Sequence, residues 1–232
     1  MAWSRRRRAL VWGSAAWLAV CATGELLSSE PSLPPSGHSV SLVSAPIPAI
    51  GTIARHSWLV VRADGESHWE RWDLYATSGG GPFDHVARAA VDAHDALHYL
   101  GERGTIEWVI QGQDAVPLIA CIRSDAPRYP ARDRYRAWPG PNSNSFIDSL
   151  LRSCDVDLPM SPTAIGKDWR GWVGASVTRQ STGVQLETPV IGIAIGLREG
   201  LELHPLGLTL GVDPWPPATL LPVGHGRFGF DP

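Results

Sequence analysis

Asp64-Gly65 separates two runs rich in β-branched and aromatic residues, His56 to Arg62 and Ser67 to Tyr75. A two-residue Asp-Gly turn commits its flanks to an antiparallel hairpin. If the turn consists of those two residues, Ala63 opposes Glu66 and paired numbers sum to 129. That register sets His56 against Asp73, Trp58 against Arg71 and Ser57 against Trp72.

Beyond the hairpin, Gly79, Gly80 and Gly81 form a loop, and Val86, Ala90, Ala93, Leu97 and Leu100 recur at helical spacing. The pattern predicts a helix from about Phe83 to Leu100, closed by Gly101. Ile106, Trp108 and Ile110 alternate as in a strand, and Asp114 is placed to cap a helix carrying Val116, Ile119 and Ile122, with Pro117 in its first turn. The Pro139-Gly140-Pro141 segment breaks regular structure, after which Asn142 caps a helix running to Leu150 or Leu151. From Gly171 onward, short β-branched runs, including Val190 to Leu197 and Leu201 to Leu210, are joined by glycines and read as strands. Gly192 and Gly196 have GxxxG spacing, but their apolar run is about half a membrane span and fits a buried strand better. The expected fold is α+β: a β-hairpin start, two or three helices and a β-rich last third.

Arg5, Arg6, Arg7 and Arg8 precede an apolar run from Ala9 to Gly24, the pattern of a secretory leader. Residues 1–27 are therefore read as a signal peptide or signal anchor. Val20 and Ala22 permit a cut after Ala22, whereas Leu18 to Cys21 only loosely resemble a lipidation site. Basic residues ahead of the apolar run place everything after Glu25 outside the cytoplasm, in the periplasm or anchored in the inner membrane. Residues 28–50, rich in Ser and Pro, read as an extended tether, and residues 51–232 as a single domain. Without the four leader arginines, 20 basic residues become 16 against 23 acidic ones, a net charge of −7. An acidic body with no basic stripe excludes nucleic acid as the main partner. A small-molecule, lipid or peptide ligand of the envelope fits better, with membrane contact through the N-terminal segment and no cofactor.

Cys121 and Cys154 belong to no CxxC or CxH pattern, which leaves a disulfide and two buried thiols as alternatives.

The stretches Arg55 to Val61, Trp69 to Asp73, Trp138 to Phe146, Ala164 to Asp168 and the glycine-rich tail from Glu199 to Gly211 resemble the bacterial domain-of-unknown-function family 3750. The resemblance runs from about Ala54 to Phe230, and Pro-Gly-Pro-Asn-Ser-Asn at 139–144 is its most specific part. A weaker similarity is to permuted papain-like proteins of the NlpC and lecithin retinol acyltransferase types, in which a strand His precedes an Asn-Cys-x-x-Phe motif opening a helix. His56 and Asn142-Ser143-Asn144-Ser145-Phe146 match that order, with Ser143 where those proteins carry Cys. The similarity implies a papain-like core.

A nucleophile at a helix N-terminus sits in a positive field beside backbone donors able to hold an oxyanion. These residues assign Ser143 as attacking group, His56 as base and Asp73 as orienter, with Asn142, Asn144, Trp58 and Trp138 near the substrate. Such a site would act as a hydrolase or acyltransferase on amides or esters. Two rivals stay open. One is a binding or structural module that has lost the chemistry, in which Ser143 only starts a helix. The other is a metal hydrolase through His94 and His98, one helical turn apart, with His85, His204 or Glu202 as third ligand.

Overall fold

The computed structural model describes residues 2–74 and 86–231. In chain order its elements are α1 (Ala2–Leu27), β1 (Ser39–Pro46), β2 (Arg55–Arg62), β3 (Trp69–Leu74), β4 (Val86–Val91), α2 (Ala93–Leu97), β5 (His98–Tyr99), β6 (Glu102–Arg103) and β7 (Thr105–Gln111). They continue with α3 (Ala115–Asp125), α4 (Ser143–Ser153), β8 (Gly174–Val177), β9 (Gly183–Glu187), β10 (Gly192–Gly196), β11 (Gly200–Leu203), β12 (Leu210–Pro214), β13 (Pro217–Leu220) and β14 (Arg227–Gly229). The fold is α+β, as expected. One antiparallel sheet has the order β4-β3-β2-β1-β7, and β8 to β14 form a seven-stranded antiparallel meander.

Both faces of the five-stranded sheet are covered, and its central strands β1 and β2 are buried almost throughout, polar residues included. Val40, Leu42, Leu59, Val61, Trp72 and Leu74 face α3 and α4, where they meet Ile119, Ile122, Phe146, Ile147 and Leu151 in the main core. The alternate residues Val43, Ala45, Trp58 and Val60 face the other way, against Ala96 and Ile106.

Three expectations are corrected. Residues 39–46, read as tether, form the strand between β2 and β7. Val40 and Leu42 alternate with the buried Ser39 and Ser41, a period-2 pattern masked by serine-rich composition. The predicted helix from Phe83 to Leu100 is instead β4, the one-turn α2 and β5, its first residues and the glycine loop at 79–81 lying outside the described residues. Val86 and Ala90 are four apart, a spacing that keeps residues on one face of a strand as well as of a helix.

The third correction concerns the hairpin register. Ala63 O does accept from Glu66 N at 3.2 Å, closing the Asp64-Gly65 turn. Ala63 N, however, donates to the Glu66 carboxylate at 2.8 Å. Pairing resumes only with Val61↔Glu70, Val60↔Arg71 and Leu59↔Trp72. The strands are slipped by two residues from the expected register. A two-residue slip preserves the face each side chain occupies.

Cys121 and Cys154 form a disulfide joining α3 to the end of α4, with Cα atoms 5.7 Å apart. At the N-terminus, α1 packs on the last two strands: Trp17 Nε1 donates to Thr219 Oγ1 at 2.9 Å and Cys21 is fully buried. Among the described residues no helix is long and apolar enough to cross a membrane.

Candidate active site

The start of α4 is tightly specified. Asn142 Oδ1 accepts from Ser145 N at 3.1 Å while Ser145 Oγ accepts from Asn142 N at 2.7 Å, a reciprocal capping box. Asn142 Nδ2 donates to Ala137 O and Ile165 O, and Asn144 Nδ2 to Arg55 O and Ile165 O. The two asparagines thus tie the helix start to β2 and to the 163–166 loop. Asn144 Oδ1 is buried without a partner. Ser143, first residue of the helix, is 3% exposed.

His56 and Asp73 lie on one face of β2 and β3, with Nε2 2.8 Å from Oδ1. The contact is short but lacks straight hydrogen-bond alignment. Both side chains are almost fully buried. Arg71 Nη2 donates to Asp73 Oδ2 at 2.9 Å, and its Nη1 donates to the carbonyls of Asp95 and His98. Burial by itself pushes the Asp73 carboxyl up, but His56 and Arg71 outweigh it and hold the group below its ordinary value. Tyr99 stacks on the His56 ring at 4.0 Å between centroids.

Trp58, one of the residues expected near substrate, is fully buried beneath the Arg71 guanidinium and donates Nε1 to Ala96 O at 2.8 Å. Trp138 is 45% exposed and reaches across to Leu206 O.

His56 shares its strand face with Trp58, whereas α4 packs on the opposite face through Leu59 and Val61. The start of α4 is tied to the same end of β2 that carries His56, through Asn144 Nδ2 and the Arg55 carbonyl at 2.8 Å. Tyr135 lies within electrostatic reach of Asp73 and Ser143. Burial is the main cause pushing its phenol up to about 12; Tyr99 and Asp73 push the same way, and the Ser143 side chain pulls it down. Sequence reasoning missed Tyr99 and Tyr135, which no motif or spacing ties to His56 or Ser143. Arg71 was within its reach as a partner of Asp73, two residues away on the same strand face.

The histidine pair is differently placed from expectation. His94 lies in α2 and His98 begins β5, their rings stacked 3.8 Å apart at the surface. His94 Nδ1 contacts Asp95 Oδ1, and its other carboxylate neighbour is Asp92; all three residues are exposed. His98 Nδ1 is taken by His94 O. His204 and Glu202 belong instead to the C-terminal meander, where His204 Nδ1 lies 2.5 Å from Glu187 Oε1 and Nε2 2.9 Å from Glu202 Oε2. His85 lies outside the described residues.

The family model described as "Protein of unknown function (DUF3750)" matches residues 37–169, more than half the chain, and the chain belongs to this family. The match begins just before β1 and ends at Trp169, leaving the C-terminal meander outside it. No curated protein and no solved structure matches.

Proposed function

We propose that this family member is an envelope-located hydrolase or acyltransferase of amide or ester bonds, built on a permuted papain-like core. The observation that carries the reading is the buried His56–Asp73 pair, its carboxylate anchored by Arg71, on a strand whose end Asn144 ties to the capped helix that begins at Ser143. In the proposed reaction Ser143 Oγ forms a bond to the substrate carbonyl carbon while His56 takes the hydroxyl proton. The amides at the start of α4 stabilise the oxyanion. The leaving group departs with the proton from His56, and water or a second acceptor releases the acyl group. Asp73 engages Nε2, so Nδ1 is the nitrogen assigned to the serine. An extracytoplasmic location is supported by the arginine-led apolar leader and by the Cys121–Cys154 disulfide.

A second reading, a binding module without turnover, is favoured by the burial of His56 and Ser143, which are 2% and 3% exposed. Labelling of the full chain with a fluorophosphonate separates the two. Modification that requires both Ser143 and His56 supports the enzyme, and absence of modification under conditions that label a control serine hydrolase supports the module.

A further inference from the structure

A cavity of about 300 Å³ lies between the family-matched core and the C-terminal meander, away from Ser143 and His56. Charged side chains of both signs line it, among them Arg152 and Arg179 on one hand and Glu199 and Asp213 on the other. Arg152 Nε at 3.1 Å, Arg170 Nη2 at 2.6 Å and Arg179 Nη2 in close contact surround the Asp148 carboxylate. Arg179 lines the cavity and its Nη1 is buried without a hydrogen-bond partner.

Next to these, Lys167 pairs with Asp168, His204 bridges Glu187 and Glu202, and Arg227 Nη1 lies 2.6 Å from Asp213 Oδ2. Asp213 lines the cavity, is 8% exposed, and its Oδ1 has no partner. Thr209, 1% exposed and also lining the cavity, has an unpartnered hydroxyl. Buried polar atoms without partners are costly and uncommon, and several in the wall of one cavity imply a polar occupant.

We infer that this cavity binds a small zwitterion of the amino-acid or short-peptide class, its carboxylate at Arg179 and its ammonium at Asp213. A metal ion fits poorly beside His204. Both ring nitrogens of His204 face carboxylates, an arrangement that calls for a doubly protonated ring with no lone pair to offer. The state of Asp213 agrees with its unpartnered Oδ1. Burial first, then Glu202, raises its carboxyl to about 6 against the opposing pull of Arg227 and Lys167. An arriving ammonium takes the place of that proton, so binding weakens as pH falls through about 6. The site draws on residues beyond the family-matched segment and does not depend on Ser143 chemistry.

The test is titration of the full chain, by calorimetry or NMR, with three probes: L-alanyl-L-alanine, its N-acetyl derivative lacking the ammonium, and its C-terminal amide lacking the carboxylate. The free dipeptide is expected to bind saturably, and each capped form about tenfold or more weakly, the worth of one charged hydrogen bond. Affinity for the free dipeptide should fall roughly tenfold between pH 7.5 and pH 5. Asp213→Asn should erase the preference for a free ammonium only, and Arg179→Gln the preference for a free carboxylate only. Thr209→Val, which removes an unpartnered hydroxyl, should weaken binding while leaving the empty protein at least as stable. No saturable binding of the dipeptide up to about 10 mM, or equal binding of the capped forms by the wild-type chain, overturns the inference whatever the variants do. Folded variants with unchanged preferences overturn it as well.

Discussion

His56 Nε2 lies 2.8 Å from Asp73 Oδ1 although the two residues sit diagonally, not directly opposite, across β2 and β3. The extra reach is covered by side chains on a shared face, and Arg71, on the same face of β3, fixes the carboxylate from the other side. The attraction that depresses the Asp73 pKa also stabilises the fold. That stability is present above about pH 4, the ordinary carboxylate range, and is lost as pH falls through the lower folded value.

If His56 and the α4 N-terminus form one reactive site, Ser143→Cys should carry a thiol with its pKa pulled below the ordinary ~8.5. Iodoacetamide should alkylate it near neutral pH, while the disulfide-bonded Cys121 and Cys154 stay unmodified. Adding His56→Ala should slow alkylation about tenfold, a one-unit rise in thiol pKa. A thiol with an ordinary pH–rate profile, indifferent to His56 in a folded protein, would reduce the Asn142–Phe146 pattern to a helix start.

His204 should make the protein lose stability in mild alkali. Burial pulls its pKa down, but Asp168, Glu187 and Glu202 outweigh burial and raise it to about 9. A group with a raised folded pKa contributes fully below its unfolded value of ~6.5, and the contribution disappears as pH rises through about 9. The shift corresponds to stability on the order of 3 kcal/mol. Urea midpoints measured from pH 6 to pH 10 should fall across that window in the wild type. His204→Gln should be less stable at pH 6 and show a flatter profile.

How much of this was legible beforehand differed by residue. The α4 start could be read because its signals are local: an Asn cap, a proline-glycine break before it and apolar residues after it. The face shared by His56 and Asp73 was legible because strand parity survives a two-residue slip, while the register itself depended on whether Ala63 and Glu66 would extend the ladder. Residues 39–46 were misread because flanking strands satisfy a backbone that composition suggested was solvated. The charged cavity had no sequence signature at all, since its charged groups come from α4, the turn after β8, β11, β12 and residues 167–168.

The disulfide closes a loop between residues 33 positions apart, and loop-closure entropy assigns it roughly 3–4 kcal/mol. The Cys121→Ala, Cys154→Ala double variant should unfold at lower urea by that amount. It should keep the wild-type reactivity of Ser143, because the bond lies at the far end of α4 from the candidate site.

The most demanding local position is Gly166. Its φ of +78° is a conformation L side chains rarely adopt, and an added Cβ would sit 2.6 Å from Asn142 Nδ2 and 2.8 Å from Pro139 O. Asn142 is the cap of α4, and its Nδ2 already donates to Ile165 O, so movement there displaces the start of the helix. Gly166→Ala should cost about 1–3 kcal/mol from backbone strain plus the crowded contact. Asn142→Ala, which removes the cap without adding volume, should cost about 1–2 kcal/mol. Because both act through the same cap, the double variant should lose less than the two single losses added together. Urea unfolding of the four proteins measures the coupling, and strict additivity would mean that Gly166 does not hold the α4 start through Asn142.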